Sequence, residues 1–160
     1  MRHILSVQVE NEPGVLSRVA GLFSGRGFNI DALNVAPTLD AGVSLMTITT
    51  TGDDLIIEQI VKQLRKVVSV IKVVDMSDHA NVQREMVLLK VNASDSRRAE
   101  VLRIVDIFRC KVVDVSTDDL TVEVTGDHGK ITALINLLQR FGIKEIARSG
   151  PVALKRSMQL

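Results

Sequence analysis

The chain has 160 residues, 46% of them hydrophobic and 24% charged, a balance that suits a globular protein with one or two small cores and excludes intrinsic disorder. Twenty basic side chains face nineteen acidic ones, so a net charge of +1 supplies no long-range field for nucleic acid or an anionic membrane. Cys110 is the single cysteine, which rules out an internal disulfide or a cysteine zinc cage and points to a reducing compartment.

From Ile4 to Val9 the side chains alternate, with Leu5, Val7 and Val9 on one face of a strand and Ser6, Gln8 and Glu10 on the other. Asn11-Glu12-Pro13 breaks that strand, and Pro13 fits the first turn of a helix. Val15, Leu16, Val19, Leu22 and Phe23 follow at helical spacing, and Gly25 and Gly27 end the helix. A strand is expected from Asn29 to Val35, a turn from Pro37 to Gly42, and a β-branched strand from Val43 to Thr51 with Met46 and Ile48 inward. Asp53 and Asp54 mark a helix start, Ile57, Ile60, Val61 and Leu64 form its stripe, and Val67 to Val74 reads as a fourth strand.

After the polar linker Ser77 to Asn81 the pattern starts again. Glu85 to Val91 reads as a strand, Val101, Leu102, Ile104, Val105 and Phe108 as a helix stripe, and Lys111 to Val115 and Leu120 to Thr125 as two strands. A last helix carries Ile131, Leu134, Ile135, Leu138 and Phe141. Ile143 to Ala147 makes the closing strand before Gly150-Pro151. The expectation is therefore an α+β protein of two tandem ferredoxin-like βαββαβ domains, residues 1–77 and 82–160, each an antiparallel sheet with both helices on one face. Each copy of about 75 residues leaves one sheet face without helices. Pairing between two chains would cover those faces and predicts at least a homodimer; a solvated face is the alternative.

The turn at Asn11 to Gly14 leads straight into a helix, so backbone N–H groups there lack intrahelical partners and the positive end of the dipole faces outward. Gly14 permits close approach, and Asn11 can both donate and accept hydrogen bonds, as recognition of an amino acid requires. Asn29 opens the next strand and could complete such a pocket, in the same chain or across a dimer axis. Asparagine and glycine are also routine turn residues, so on local pattern alone simple turn capping stays open.

The string "ENEPGVLSRVAGLFSGRGFNI" closely resembles the ligand-binding signature of ACT domains, small regulatory modules that bind amino acids. With "LNVAPT", "MTITTTGDD", "KQLRKVVSVIKV", "VQREMVLLKV" and "RSGPVALKR" the likeness covers nearly the whole chain, and it is to the small regulatory subunit of acetolactate synthase, or acetohydroxyacid synthase. The resemblance implies a non-catalytic protein of branched-chain amino-acid biosynthesis, and the reducing compartment inferred from the lone cysteine makes the cytoplasm its expected location. Such a protein pairs through its ACT domains, binds and activates the large subunit, and confers feedback inhibition by valine. It further implies that valine sits between two chains, against Asn11, Pro13, Gly14, Val15 and Leu16 of one and Asn29 and Ile30 of the other. Thiamine diphosphate, Mg and FAD are then expected in the large subunit, with no cofactor and no metal in this chain. The surface for the large subunit is sought on the helix-free faces and the Ser149 to Arg156 tail.

Other functions fit less well. His3, His79 and His128 are scattered without metal-ligand spacing, and Asp114, Asp118 and Asp119 read as turn residues, so no catalytic constellation emerges. Gly21, Gly25 and Gly27 end a helix, whereas phosphate-binding glycines precede one. Arg97, Arg98 and Arg103 read as a wet helix face. With no Trp or Tyr and four Phe there is little for base stacking. A free-standing ACT-type sensor that regulates another enzyme or transcription is the remaining alternative. No apolar run reaches the ~18 residues of a membrane span, and alternation from Ile4 leaves no secretion pattern at the N-terminus.

Overall fold

The structure, a computed structural model, describes residues 1–157. It is α+β, with nine strands and four α-helices among the described residues, divided between two packing units. The first comprises Met1–Val82 together with the described residues from Gly150 onward, and the second Gln83–Ser149.

In the first unit, β1 (Arg2–Glu10) lies at the centre, between β3 (Val43–Thr51) and β4 (Val70–Asp75), and β2 (Ala32–Pro37) pairs with β3 alone, giving the order β2-β3-β1-β4. Strand alternation puts Leu5, Val7 and Val9 of β1 and Met46 and Ile48 of β3 on one face. There they meet Val15, Val19 and Phe23 of α1 (Val15–Gly25) and Ile57, Ile60 and Leu64 of α2 (Asp54–Leu64). Phe23 is 1% exposed, a burial that contributes about 2 to 3 kcal/mol. Asp53 caps α2 by accepting a 2.8 Å hydrogen bond from the Ile56 amide, as the paired aspartates predicted. Gly25 and Gly27 close α1: Gly27 is left-handed at φ 71°, and the Arg26, Gly27 and Phe28 amides fold back on Phe23 and Ser24 carbonyls.

Leu16, expected in the apolar stripe, is 45% exposed, because the 100° step from Val15 turns it off the face shared by Val15 and Val19. The fourth strand starts at Val70 and not at Val67, since Val67 and Val70 donate to the Leu64 and Val67 carbonyls in a turn that leaves Val68 exposed.

The second unit repeats the plan. Its order β6-β7-β5-β8 is that of the first, with β5 (Asn81–Asn92) taking the place of β1, then β6 (Lys111–Val115), β7 (Asp119–Gly126) and β8 (Ile143–Arg148). Even the register shift where the central strand meets its fourth neighbour recurs, at Gln8/Val9 and at Lys90/Val91. Val87, Leu89, Val91, Leu120, Val122 and Val124 pack against α3 (Asp95–Ile107) and α4 (His128–Leu138). The polar linker is shorter than its composition suggested: Met76–Asp78 forms a 3-10 turn and β5 already begins at Asn81.

The last strand, β9 (Val152–Lys155), belongs to the first unit. It lies on the helix-free face of that sheet, where Ala153 packs with Ile4, Val74 and Met76, and the Asn34 amide donates to the Pro151 carbonyl at 3.2 Å. The chain itself therefore covers part of the face for which pairing of chains was expected.

Candidate effector site

The loop after β1 is built by Asn11. Its backbone N–H donates to the Gly42 carbonyl at 2.8 Å and its side-chain Nδ2 to the Ala41 carbonyl at 2.9 Å, so both of its donors tie the loop to the β2–β3 turn. A carbonyl can only accept, which fixes the orientation of the amide and leaves Asn11 Oδ1 as an exposed acceptor. Pro13, without an N–H, then leads to Gly14 at φ 85°, ψ −6°, a left-handed conformation that costs an L side chain roughly 1 kcal/mol.

A Cβ placed at Gly14 would meet nothing within 4 Å. Glycine is thus required there by backbone conformation and not by crowding, and the space above it is open. No described side chain caps the helix. The Val15 amide reaches the Glu12 carbonyl at a long 3.4 Å, and the first helical bond is Arg18 N–H to Gly14 O at 3.0 Å. Among the described residues the amides of Gly14, Leu16 and Ser17 have no acceptor. Uncommitted N–H groups at the positive end of an eleven-residue helix make a place for an anionic group. Exposed Leu16 flanks it with apolar surface, while Val15 is buried and acts through its backbone position.

Asn29 sits in the segment between α1 and β2. Its Nδ2 donates to Asp31 Oδ1 at 2.7 Å and its carbonyl accepts from the Thr50 hydroxyl at 2.7 Å, so Asn29 too is left with a free Oδ1. Asp31 is itself held by the Thr51 hydroxyl at 2.8 Å. Ile30 is half-buried against the core.

The structure brings Asn11 to Leu16 together in one loop and places Asn29 and Ile30 elsewhere. Asn11 is bound next to the start of β3 and Asn29 near its end, so the two lie roughly 25 Å apart along that strand at about 3.3 Å per residue. One protomer cannot close both around a small molecule. The residues that sequence reading missed are Ala41 and Asp31, which set the two amide orientations, and Gly42, which holds the Asn11 backbone; only Asp31, two residues from Asn29, left a local signal.

The remaining side chains have structural duties. His3 is buried, with Nδ1 2.8 Å from Asp75 and Nε2 3.7 Å from Asp54, and among the described residues no three His, Cys, Asp or Glu side chains converge as metal ligands. Cys110 is half-buried and burial raises its thiol pKa, which suppresses the reactive thiolate. Arg98 is not part of a wet helix face. Its guanidinium donates to the Ala93 and Thr117 carbonyls at 3.0 Å and also to Ser116 O, tying α3 to the β6–β7 turn. Among the described residues no helix is long and apolar enough to cross a membrane.

Comparison with known proteins places this geometry. Residues 5–72 match the family model of the AHAS small subunit-like ACT domain, and residues 84–157 that of the small subunit of acetolactate synthase. The acetolactate synthase small subunit of Aquifex aeolicus is 54% identical, with 99% of this chain and 83% of that protein covered. A probable acetolactate synthase small subunit of Methanothermobacter thermautotrophicus is 54% identical over 96% of this chain and 92% of its own length. The crystal structure of the small subunit from Thermotoga maritima superposes with a TM-score of 0.87 at 42% identity, covering 99% of both chains. The chain belongs to the acetolactate synthase small-subunit family.

Proposed function

We propose that this protein is the non-catalytic regulatory subunit of acetolactate synthase: it binds and activates the large subunit and makes it responsive to valine. The chemistry and its cofactors, thiamine diphosphate, Mg and FAD, belong in this reading to the large subunit. The observation that carries the valine site is the state of the polar atoms around α1. Three amides at its N-terminus are uncommitted, while Asn11 and Asn29 have each spent the side-chain donor and kept the acceptor.

An α-amino acid needs donors for its carboxylate and acceptors for its ammonium. The Gly14, Leu16 and Ser17 amides supply the first. Asn11 Oδ1 of one protomer and Asn29 Oδ1 of a second supply the other, with Leu16 and Ile30 as apolar walls for the branched side chain. The separation of Asn11 from Asn29 within one chain makes the site a property of an ACT-domain homodimer. Strand β2 offers the edge for it, because among the described residues β3 is its only neighbour in the sheet and Val35 is 41% exposed. A ligand held by two chains biases how they sit together, and it regulates to the extent that the two arrangements bind it unequally. Effector sensing is assigned to the ACT domain, residues 1–77, and the C-terminal domain expected over residues 82–160 gives its described segment from Gly150 onward to the packing of the first unit.

The test is valine response of the reconstituted enzyme carrying Asn11→Ala or Gly14→Asp. The first removes an ammonium acceptor and the second sets a carboxylate against the amides meant for the ligand. Loss of inhibition with activation retained is expected. Unchanged inhibition in both variants rejects the site.

A further inference from the structure

The two residues that lead into β9, Gly150 and Pro151, lie against the same edge strand that follows Asn29 and Ile30. Gly150 is left-handed at φ 75°, and a Cβ on it would come within 2.9 Å of the Ala32 Cβ and 3.3 Å of Asn34 Nδ2. The chain therefore presses its backbone directly on β2. One residue later the Asn34 amide donates to the Pro151 carbonyl at 3.2 Å, and both Gly150 and Pro151 are buried. Two residues further, Ala153 reaches Ile4 of β1 and Val74 and Met76 at the far edge. From Pro151 to Lys155 an extended chain covers about 13 Å, close to the roughly 14 Å spanned by the three spacings of a four-stranded sheet. The segment is a strap laid across the sheet, with its first fastening on β2.

At its other end the strap starts one peptide bond after Ser149. That residue is fixed within the second unit by two bonds to Met86, its amide donating to the Met86 carbonyl and its Oγ accepting from the Met86 amide, both at 3.0 Å. Strand β2 begins three residues beyond Asn29 and has among the described residues a single sheet neighbour, β3, so a ligand that draws Asn29 and Ile30 toward a second protomer displaces β2 more easily than a central strand. Asn34 and Gly150 are where such a displacement would meet the tail.

We propose that Asn34 and Gly150 form a latch that passes effector occupancy at β2 through Ser149 to the second unit, making them positioning residues for inhibition and not for valine binding. This rests on the valine site proposed above. Without the latch, β2 adapts to the ligand and the tail does not follow. One neutral hydrogen bond shifts a two-state balance by about five-fold, which sets the scale of the effect.

The experiment uses the full chain and the reconstituted enzyme, with Asn34→Asp, whose carboxylate repels the Pro151 carbonyl, and Gly150→Ala, which forces Ala32 and Asn34 apart from the strap. Valine binding is measured by calorimetry and folding by thermal unfolding on the small subunit, and activation and inhibition on the complex, with Asn34→Ser as the milder substitute. The expected result is valine affinity unchanged or up to about five-fold tighter, with maximal inhibition at saturating valine cut by at least about half. Full inhibition in both variants, or inhibition lost in step with binding, overturns the latch. A wild-type chain that takes up no valine rejects the effector site itself, and that result is visible before any latch variant is made.

Discussion

Asn11 and Asn29 stand at opposite ends of one strand: the Asn11 amide binds the Gly42 carbonyl just before β3, and the Asn29 carbonyl accepts from Thr50 near its end. Two asparagines with free acceptor oxygens, separated in one chain, can meet a common small ligand when a second chain supplies one of them.

This relationship predicts complementation. Asn11→Ala and Asn29→Ala homodimers should each lack valine sites, yet a heterodimer of the two retains one site in which both asparagines are intact. After random exchange of protomers, about one quarter of the wild-type binding capacity should return. Calorimetric titration of the remixed variants measures it. Capacity that stays at zero argues against a site shared between chains.

A second prediction concerns stability in the second unit. Arg148 holds Glu85 with two parallel bonds, Nε to Oε1 at 2.7 Å and Nη2 to Oε2 at 3.0 Å, and Glu85 is only 4% exposed. The hydrogen bond to Glu85 raises the Arg148 pKa above its ordinary value, against the opposing effect of burial. Arg148→Met leaves a buried carboxylate without its cation. Because the arginine is itself partly exposed, the expected loss is about 2 kcal/mol, below the usual range for a fully buried pair. Glu85→Met combined with Arg148→Met should recover most of it. Urea unfolding of the single and double variants decides: a single variant as stable as wild type would show that water already screens the carboxylate.

The third prediction is a pH effect with a defined sign. Lys144 donates to Asp119 at 2.9 Å, and this bond, followed by that from the Ser116 hydroxyl, lowers the Asp119 pKa below 3.8. A depressed folded value means that the contribution is fully present above the unfolded pKa and disappears as pH falls through the folded one. Lys144→Met should therefore raise the Asp119 midpoint toward its ordinary value. Its stability difference from wild type should be constant above about pH 5 and shrink on acidification below about pH 4. Carboxyl carbon shifts followed by NMR across that range give the midpoint directly; an unmoved midpoint would leave Lys144 without electrostatic influence on Asp119.

Much of the fold was legible because burial on one face of an antiparallel sheet leaves a period of two in the strands and a stripe in the helices. Leu5, Val7 and Val9, then Met46 and Ile48, alternate as the inward face requires, and the second unit repeats them in Val87, Leu89 and Val91. Where apolar residues are abundant without alternation the pattern does not separate strand from turn, as at Val67 and Val68, which continue a hydrophobic run but close the turn after α2. Arg98 shows the converse. An arginine on a polar helix face looks solvated until the β6–β7 turn brings the Ser116 and Thr117 carbonyls to its guanidinium.

The residue string by itself determined that two βαββαβ sheets would form and that a glycine-opened helix would present free amides, since alternation, helical spacing and turn chemistry act over a few neighbouring residues. The direction of the Asn11 carboxamide, the separation of Asn11 from Asn29 along β3, and the return of Gly150 to Lys155 onto the first sheet were decided by tertiary structure alone. Each depends on partners such as Ala41, Thr50 or Asn34 that lie up to 117 residues away, from Asn34 to Pro151, and no local pattern encodes a bond over that distance.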